Sequence, residues 1–291
     1  MITIIGDVNV DYNLKLLHFP DYDEDAEVQK FSVTSGGVAA NTAYALRKLG
    51  TRVALVACVG KDENAKKALD PLAKVGVDLS GVCECEEGTG ASFSVVDESG
   101  VRRLMTYRGA NAFLTFDKLH LSLLKNSEWV HIGSADPFLA FEVIKHFKRV
   151  SWDPGWIVLN RMKIPSDIFE GLKILFVNSR EWNCLKDMYG LLDFGITVIK
   201  NGSKGVEIRE NGKLVFSLKA FKVKSVDSTG AGDVFNAAFL YSYIVLGRNL
   251  KEAVLFANAA AAISVTAIGA QGMVPTFEDV EKFIKKSKMN L

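Results

Sequence analysis

Short apolar runs alternate with helix-patterned segments through the middle of the chain. The predicted strands are Glu128–Gly133, Ser151–Asp153, Ile174–Val177 and Ile196–Ile199, and the predicted helices are Phe138–Arg149, Ser166–Leu172 and Arg180–Tyr189. This alternation predicts a parallel sheet with helices on both faces. Ligands of such sheets bind beyond the carboxyl ends of the strands. Polar residues lie at or just after these predicted ends: Asp136, Asp153, Asn178 and Lys200.

A second pattern, of short strands and turns, occupies residues 10–35 and 82–107. The segments Ser92–Val96 and Arg102–Tyr107 are joined by four residues, Asp97-Glu98-Ser99-Gly100, which are typical of a hairpin turn. This rhythm differs from the strand–helix alternation of the middle of the chain. We therefore predict a small β-sheet that stands beside the main one.

Composition restricts the class of protein. The 291 residues are 48% hydrophobic and 24% charged, with a formal net charge of +1. A chain of this length can bury a large core, and no low-complexity linker divides it into tethered domains. We therefore expect one domain over residues 1–291. The near-neutral charge provides no basic patch of the kind that nucleic-acid binding requires.

Neither a membrane span nor a secreted protein is predicted. The N-terminus begins with a strand pattern, Ile2–Ile5, without the basic and apolar segments of a signal peptide. The apolar stretch Ala253–Ala270 is rich in alanine and includes Asn258, which favours a buried helix over a transmembrane one. The four cysteines lack metal-ligand spacing, so we expect reduced thiols in a cytoplasmic protein.

The most informative segment for chemistry is residues 226–235, Val-Asp-Ser-Thr-Gly-Ala-Gly-Asp-Val-Phe. Gly230 and Gly232 precede an apolar helical pattern, so the turn directs unpaired N–H groups and the positive end of a helix dipole at one point. The pattern predicts an anion site. Asp233, in the first turn, is placed to accept a proton from a nucleophile attacking that anion. The chain has no Walker-type loop and no Gly-x-Gly-x-x-Gly after its first strand.

Two further segments carry groups suited to a polyhydroxylated ligand. Asp7, Asn9 and Asp11 alternate with valines, so an extended segment places the three polar side chains on one face. The pair Gly36-Gly37 permits close approach to the backbone at the start of a helix. Asn41 lies one turn along that helix among apolar residues, and it needs a buried partner, either a ligand or a backbone carbonyl.

Two motifs together resemble the signatures of the ribokinase (PfkB) family of carbohydrate kinases. One is Ser35-Gly36-Gly37-Val38-Ala39-Ala40-Asn41-Thr42-Ala43, followed by Leu46-Arg47-Lys48-Leu49-Gly50; the other is the string at 226–235. The resemblance covers essentially the whole chain. It implies a ribokinase-like three-layer α/β sandwich: a mainly parallel central sheet, helices on both faces, and a small β-sheet lid over residues 10–35 and 82–107. It also implies ATP and Mg²⁺ as cofactors and, as in many members, a homodimer through the lid.

The resemblance implies roles for individual residues. Asp233 is the implied base for the substrate hydroxyl, and the N–H groups of Gly230, Ala231 and Gly232 would stabilise the transferring phosphoryl group. The implied substrate-binding residues are Asn9, Asp11, Gly36, Gly37, Asn41 and Arg108, with a surface role left open for Arg108. The implied nucleotide contacts are Lys200, Gly202, Ser203, Gly205 and Asn258. Asn178 and Glu181 match the motif that positions Mg²⁺ through water. Asp227 and the Gly269–Met273 loop match a region that binds a monovalent cation such as K⁺ in several members, mostly through backbone carbonyls.

The expected function is an ATP-dependent kinase that transfers the γ-phosphoryl group to a hydroxyl of a small sugar or polyol. Ribose is disfavoured, because similar ribokinases carry lysine where this chain has Val38. Fructose, a sugar acid and a cyclitol such as inositol stay open, and no arginine cluster near the lid indicates a phosphorylated substrate. The alternatives are a non-catalytic sugar sensor and a nucleoside kinase, whose base pocket would use Trp152, Trp156 or Phe113.

Overall fold

The chain folds around one large sheet and one small sheet. The computed structural model describes residues 1–161, 164–165, 167–190 and 192–288. The strands are β1 Ile2–Gly6, β2 Asn9–Leu16, β3 Val28–Gly36, β4 Val53–Gly60, β5 Asp78–Cys85, β6 Gly90–Val96, β7 Arg102–Tyr107, β8 Trp129–Gly133, β9 Val150–Asp153, β10 Ile174–Asn178, β11 Ile196–Lys200, β12 Val206–Glu210 and β13 Lys213–Leu218. The helices are α1 Val38–Lys48, α2 Glu63–Val75, α3 Leu121–Lys125, α4 Pro137–His146, α5 Gly155–Arg161, α6 Ile168–Gly171, α7 Ser179–Tyr189, α8 Ala231–Leu240, α9 Leu250–Ser264 and α10 Phe277–Lys288.

Nine of the described strands form the large sheet, in the order β13-β12-β11-β10-β9-β8-β1-β4-β5. Neighbours from β11 to β5 run parallel, and the hairpin β12–β13 extends one edge antiparallel. Strands β1 and β4 are buried along their whole length, as expected when helices cover both faces. An apolar core lies on each face, with Leu55 in one and Val56 in the other. The predicted three-layer α/β fold is confirmed.

The elements predicted for the middle of the chain are confirmed with small shifts at their ends. Helix α4 begins at Pro137 because the Asp136 carboxylate accepts a hydrogen bond from Phe138 N over 2.9 Å, and proline is favoured in a first turn. It ends at His146, three residues before the predicted end at Arg149. The predicted helix 166–172 is the single turn α6, and Ser166 lies outside the described residues.

The small sheet, as far as the chain is described, has four strands in the order β3-β2-β6-β7. One face of this sheet is polar where four residues, one from each strand, pair across it: Thr34, Asp11, Ser92 and Thr106. Its other face is apolar along the adjacent row: Val33, Tyr12, Phe93 and Met105. The predicted range 82–107 began too early, because residues 82–85 belong to β5, which pairs with β4 in the large sheet.

The alanine-rich stretch that begins at Ala253 belongs to the interior. Ala253, Ala257 and Ala260 of α9 are fully buried, and the helix packs against α8. Within the described ranges, no helix combines the length and the apolar character that crossing a membrane requires. The four cysteines are free thiols, and Cys58 of β4 is in register with Cys83 of β5.

Candidate active site

The Gly-rich turn leads into α8 at the predicted position. Gly230 has a φ of +74°, and a Cβ there would come within 2.6 Å of Ala270 Cβ, so both conformation and space require glycine. Ala231 and Gly232 begin the helix, and Ala231 N donates to Ser228 O over 3.3 Å. The first N–H groups of a helix otherwise lack partners within it. The turn therefore has the geometry of an anion site, although Ala231 already has one acceptor.

Asp233 lies in the first turn of α8 and carries a strongly perturbed carboxylate. Loss of solvent around the group raises its pKa well above the usual value, and a hydrogen bond from Asn41 opposes this rise. Among the neighbouring charges, Asp153 and Asp7 raise the pKa further and Lys200 lowers it. A carboxylate with a raised pKa is a stronger proton acceptor once ionised, which suits a general base.

Asn41 is only 6% exposed, and its partner differs from both sequence-based alternatives. Its Nδ2 donates to Asp233 Oδ2 over 2.9 Å. Its Oδ1 accepts from Gln271 Nε2 over 3.2 Å, and the same Gln271 nitrogen is 3.2 Å from Ser35 Oγ. The buried partner is thus the candidate base itself. Gln271 lies in the 269–273 loop that the family resemblance associates with a cation, but its contact with Asn41 spans 230 positions and has no local signal in the sequence.

Asp7 and Asn9 have protein partners beside the site. Asp7 follows β1, and its Oδ1 accepts from Ala39 N over 3.0 Å at the start of α1. Burial chiefly, with help from the neighbouring Asp11 charge, raises the pKa of Asp7 to about 7. Asn9 is buried, and its Oδ1 accepts from Asn111 Nδ2 over 2.8 Å. Asn9 and Asn111 therefore join the small sheet to the segment that follows it.

Asp11 faces the site from the polar side of the small sheet. Burial raises the pKa of its carboxyl to about 6. A Cβ on Gly36, the neighbouring residue of β3, would overlap the Asp11 carboxylate. Glycine at 36 therefore leaves room for the Asp11 carboxylate, and close approach of a ligand to this pair stays a prediction. Gly37 is the N-cap of α1.

Two arginines approach the site from the segment around β7. The predicted residue Arg108 is close enough to Asp7 for its charge to lower the pKa of that carboxyl. Arg102, at the start of β7, donates from Nη1 to Thr229 Oγ1 over 3.2 Å. This bond connects the small sheet to the residue before Gly230. Sequence analysis did not single out Arg102, because the contact spans 127 positions of the chain.

Lys200 lies at the end of β11 in a closed triangle with Asp153, which the sequence places at the end of a predicted strand, and Asn236, which it does not single out. Lys200 Nζ is 2.8 Å from Asp153 Oδ2 and donates to Asn236 Oδ1 over 3.0 Å. Asn236 Nδ2 donates to the same Asp153 oxygen over 2.6 Å. Burial alone would raise the pKa of Asp153, but Lys200 and Asn236 outweigh it and lower that pKa.

The predicted Mg²⁺ motif forms the start of α7. Asn178 Oδ1 accepts from Glu181 N over 3.0 Å, and Glu181 Oε2 accepts from Asn178 N over 2.8 Å, a reciprocal capping box. Burial raises the pKa of Glu181 to about 7. In the parts of the chain that are described, no three acidic, histidine or cysteine side chains gather as a metal-binding set.

The predicted nucleotide residues divide into an exposed turn and a buried amide. Gly202 and Ser203 are exposed in the turn after β11, and Gly205 is buried. Asn258 of α9 donates from Nδ2 to Lys219 O over 2.9 Å, which fixes the segment after β13. Both features flank the carboxyl end of β11, the end of the sheet where Lys200 lies.

The Asp227 carboxylate connects the Gly-rich turn to the loop at 266–273. Its Oδ1 accepts from Thr229 N and Oγ1 over 2.9 and 2.7 Å, and its Oδ2 accepts from Gly269 N over 2.9 Å. Burial alone would raise the pKa of Asp227, but these hydrogen bonds outweigh it and lower the pKa. The carboxylate is therefore held in its ionised form by three N–H and O–H donors.

The three aromatic residues named for a nucleobase pocket differ in exposure. Trp152 is fully buried in the core, so it cannot line an open pocket. Trp156 is covered by the Arg180 guanidinium, 3.5 Å from its ring centroid. Phe113 is 44% exposed in a short 3₁₀ helix after β7. Burial therefore removes Trp152 from such a pocket and leaves Trp156 and Phe113 as the residues available to one.

Comparison with known proteins places the whole chain in one kinase family. Residues 1–277 match the pfkB family carbohydrate kinases. The ATP-dependent ribose-1-phosphate kinase of Halopiger xanaduensis is 32% identical over 295 residues, 97% of this chain and 97% of that protein. The ribokinase structure from Thermotoga maritima has a TM-score of 0.88 and 31% identity, and covers 98% of this chain and 99% of that one.

A nucleoside kinase is similar at a comparable level. The structure from Methanocaldococcus jannaschii has a TM-score of 0.85 and 28% identity, and the match covers 98% of both chains. Overall similarity therefore does not select one substrate, whereas the family, predicted from two motifs, is confirmed. This chain belongs to the pfkB family of carbohydrate kinases, which are phosphotransferases with an alcohol group as acceptor.

Proposed function

We propose that the protein is an ATP- and Mg²⁺-dependent kinase that transfers the γ-phosphoryl group to a hydroxyl of a small sugar or polyol. The observation that supports this best is a row of three neighbouring carboxylates, those of Asp11, Asp7 and Asp233. Asp11 raises the pKa of Asp7, and Asp7 raises that of Asp233, so the three groups are electrostatic neighbours. They connect the polar face of the small sheet to the start of α8, where an acceptor hydroxyl must meet a phosphoryl group.

The proposed roles follow from this geometry. Asp11, with Asn9, Gly36, Gly37 and Arg108 around it, binds the substrate hydroxyls. Asp233 removes the proton of the attacking hydroxyl, and Asn41 orients its carboxylate before the substrate arrives. The N–H groups at Gly230, Ala231 and Gly232 stabilise the charge on the transferring group.

The nucleotide and the cations have proposed positions at the carboxyl end of β11. Lys200, Gly202, Ser203, Gly205 and Asn258 surround the proposed ATP site. Mg²⁺ would neutralise phosphate charge there, held through water by Asn178 and Glu181; it commonly keeps several waters, so one carboxylate without a full cage fits its chemistry. Both Asp227 oxygens already accept hydrogen bonds, so we assign a monovalent cation such as K⁺ to backbone carbonyls of the 269–273 loop.

A phosphorylated sugar is a second candidate substrate class. The sequence offered no arginine cluster, yet Arg102 lies at the Gly-rich turn and Arg108 acts on Asp7. Guanidinium groups suit phosphate recognition, and the Halopiger relative is named as a ribose-1-phosphate kinase. Val38 argues against free ribose, and burial of Trp152 removes one of the three aromatic residues that the sequence suggested for a nucleobase pocket.

The apolar face of the small sheet supports a homodimer. Phe31 is 62% exposed and Met105 is 56% exposed on one side of a sheet whose other side faces the site. Exposed apolar faces of this kind mark interaction surfaces. We propose a second copy of this chain as the partner, and sedimentation of the protein against a Met105→Lys variant tests it. A wild-type monomer at micromolar concentration would contradict the dimer.

An ADP-release screen tests the proposed activity. The acceptors are fructose, a ketodeoxy sugar acid, inositol, ribose, ribose 1-phosphate and nucleosides, each with ATP and Mg²⁺. Selective turnover with one unphosphorylated sugar or polyol supports the main proposal. Selective turnover with ribose 1-phosphate would identify a phosphorylated sugar as the substrate class, and selective turnover with a nucleoside would identify a nucleoside kinase. Binding of a sugar without turnover of any acceptor would identify a sensor. The Asp233→Asn variant is the control for contaminating kinases.

A further inference from the structure

The Lys200 ammonium is held in a fixed position by the triangle with Asp153 and Asn236. Its side chain is 16% exposed and that of Asp153 is 7% exposed, while Asn236 is fully buried. A lysine ammonium has three N–H donors. Two of them have partners in the described structure, Asp153 Oδ2 and Asn236 Oδ1. One donor is therefore left for a ligand on the slightly exposed side.

Gly232 marks where the ammonium lies. A Cβ built on Gly232 would lie 3.3 Å from Lys200 Nζ, so the ammonium is adjacent to the first turn of α8. Gly232 directly precedes Asp233, the proposed base. A charge beside Gly232 is thus next to the atom being attacked. The sequence-based prediction listed Lys200 with the nucleotide contacts of the exposed turn at 202–204. The structure places its ammonium beside the first turn of α8 instead.

Resting on the proposed kinase function, we propose that Lys200 is a catalytic residue that donates to the transferring γ-phosphoryl group, and that Asp153 and Asn236 are its positioning residues. Lys200 and Asp153 lie on β11 and β9, on either side of β10 in the large sheet, and Asn236 of α8 is fully buried. Donors fixed before the reaction stabilise developing charge without reorganisation. Asp153 keeps the ammonium ionised inside the protein, since its charge raises the pKa of Lys200 against the lowering effect of burial.

A purely structural ion pair is the competing explanation, because buried pairs of this kind also occur away from active sites. The two explanations differ in what they predict for ligands with and without a γ-phosphoryl group. ADP lacks the group and β,γ-methylene ATP carries it. A lysine that contacts only this group affects the second ligand and not the first.

The test measures both affinities by calorimetry in wild type and in Lys200→Met. We expect the affinity for β,γ-methylene ATP to fall by about tenfold or more, the magnitude of a lost hydrogen bond to a charged group, while ADP binds within about twofold of wild type. With the substrate found in the screen, kcat falls by about 10²–10³, as for the loss of one charge-stabilising donor.

An equal loss of affinity for both ligands would assign Lys200 to the α- and β-phosphates. No loss for either ligand would leave a structural ion pair. Either result overturns the proposal.

The positioning roles are tested by Asp153→Asn alone and combined with Lys200→Met. If Asp153 acts through Lys200, the single change lowers kcat by at least about tenfold, whereas in the Lys200→Met background it adds less than about twofold. Additive losses would contradict positioning. Lys200→Met leaves the buried Asp153 carboxylate without its cationic partner, whereas the double variant has neither charge. If Lys200→Met does not fold, the double variant therefore takes its place in the calorimetric comparison. The ADP comparison needs no turnover, so it remains decisive if the protein proves not to be a kinase.

Discussion

The large and small sheets differ in what covers them. In the large sheet, β1 and β4 are enclosed on both faces, and Leu55 is fully buried. In the small sheet, one face carries Asp11 towards the site and the other leaves Phe31 and Met105 largely exposed. The main body carries Asp233, Lys200 and Asn41 on elements that packing fixes. This difference leads us to expect that phosphoryl transfer depends on the large sheet and its helices, and that recognition of the acceptor depends on the small sheet.

The largest expected effect belongs to the body. Asp233→Asn removes the proposed base while preserving size and the contact with Asn41, so we expect turnover to fall by about 10²–10⁴ with ATP still bound. Because burial raises the pKa of Asp233 when folded, ionising it costs stability as the pH rises through that pKa. The variant should therefore melt higher than wild type at pH 8 and not at pH 4. Turnover within about threefold of wild type would contradict the assignment.

The two sheets should also respond differently to truncation. Leu55→Ala in β4 is expected to lower the free energy of unfolding by about 2–5 kcal/mol, because it empties packed volume. Met105→Ala in β7 removes a side chain of similar size that is 56% exposed, so the expected cost is within about 0.5 kcal/mol. Urea titrations at low protein concentration measure both. An equal cost would mean that something covers the face of the small sheet.

Asp11→Ala tests recognition by the small sheet. Loss of a charged hydrogen-bond partner is expected to weaken acceptor binding by about 1.5–3 kcal/mol and to leave ATP binding unchanged. Asn13→Ala is the matched control, since Asn13 lies two residues along the same strand and faces the same side. Calorimetric titration with acceptor and with ATP distinguishes the two ligands. A parallel loss of both affinities would place Asp11 outside the acceptor site.

Asn41→Ala tests whether the base depends on its neighbour within the body. The Asn41 hydrogen bond favours the ionised carboxylate, so its removal raises the pKa of Asp233 further. The acidic limb of the kcat–pH profile should then move to higher pH. Thr42→Val is the control: Thr42 is the next residue of α1, and its hydroxyl has no partner in the described structure. A profile unchanged in both variants would remove Asn41 from the support of the base.

The smallest expected effect concerns motion. If the small sheet closes over the acceptor, amide exchange should slow across residues 90–107 when the true substrate binds. Helix α4, at 137–146, is the internal reference outside the proposed lid. Protection that rises equally in both regions, or only near 200–205, would contradict closure driven by the acceptor.

Local patterns sufficed for much of this molecule. Strand–helix alternation predicted the parallel sheet, and the turn around Gly230 predicted a helix start with Asp233 in its first turn. The Asn41 partner was not predictable, because it depends on how α1 packs against α8. Arg102 reaches Thr229 only through the docking of the two sheets. Asn236 gave one signal that sequence analysis passed over: it is a single amide among the apolar residues of α8.

The contact between Asp11 and Gly36 restricts the routes by which this site can evolve. The carboxylate occupies the space that a side chain at 36 would need, so a change at 36 displaces that carboxylate while Asp11 is present. A smaller residue at position 11 removes the obstacle first. Mutations at these two positions are therefore expected to be tolerated in one order and not in the other. A lineage that changes its acceptor through this pair must pass through an intermediate that has already given up the Asp11 contact.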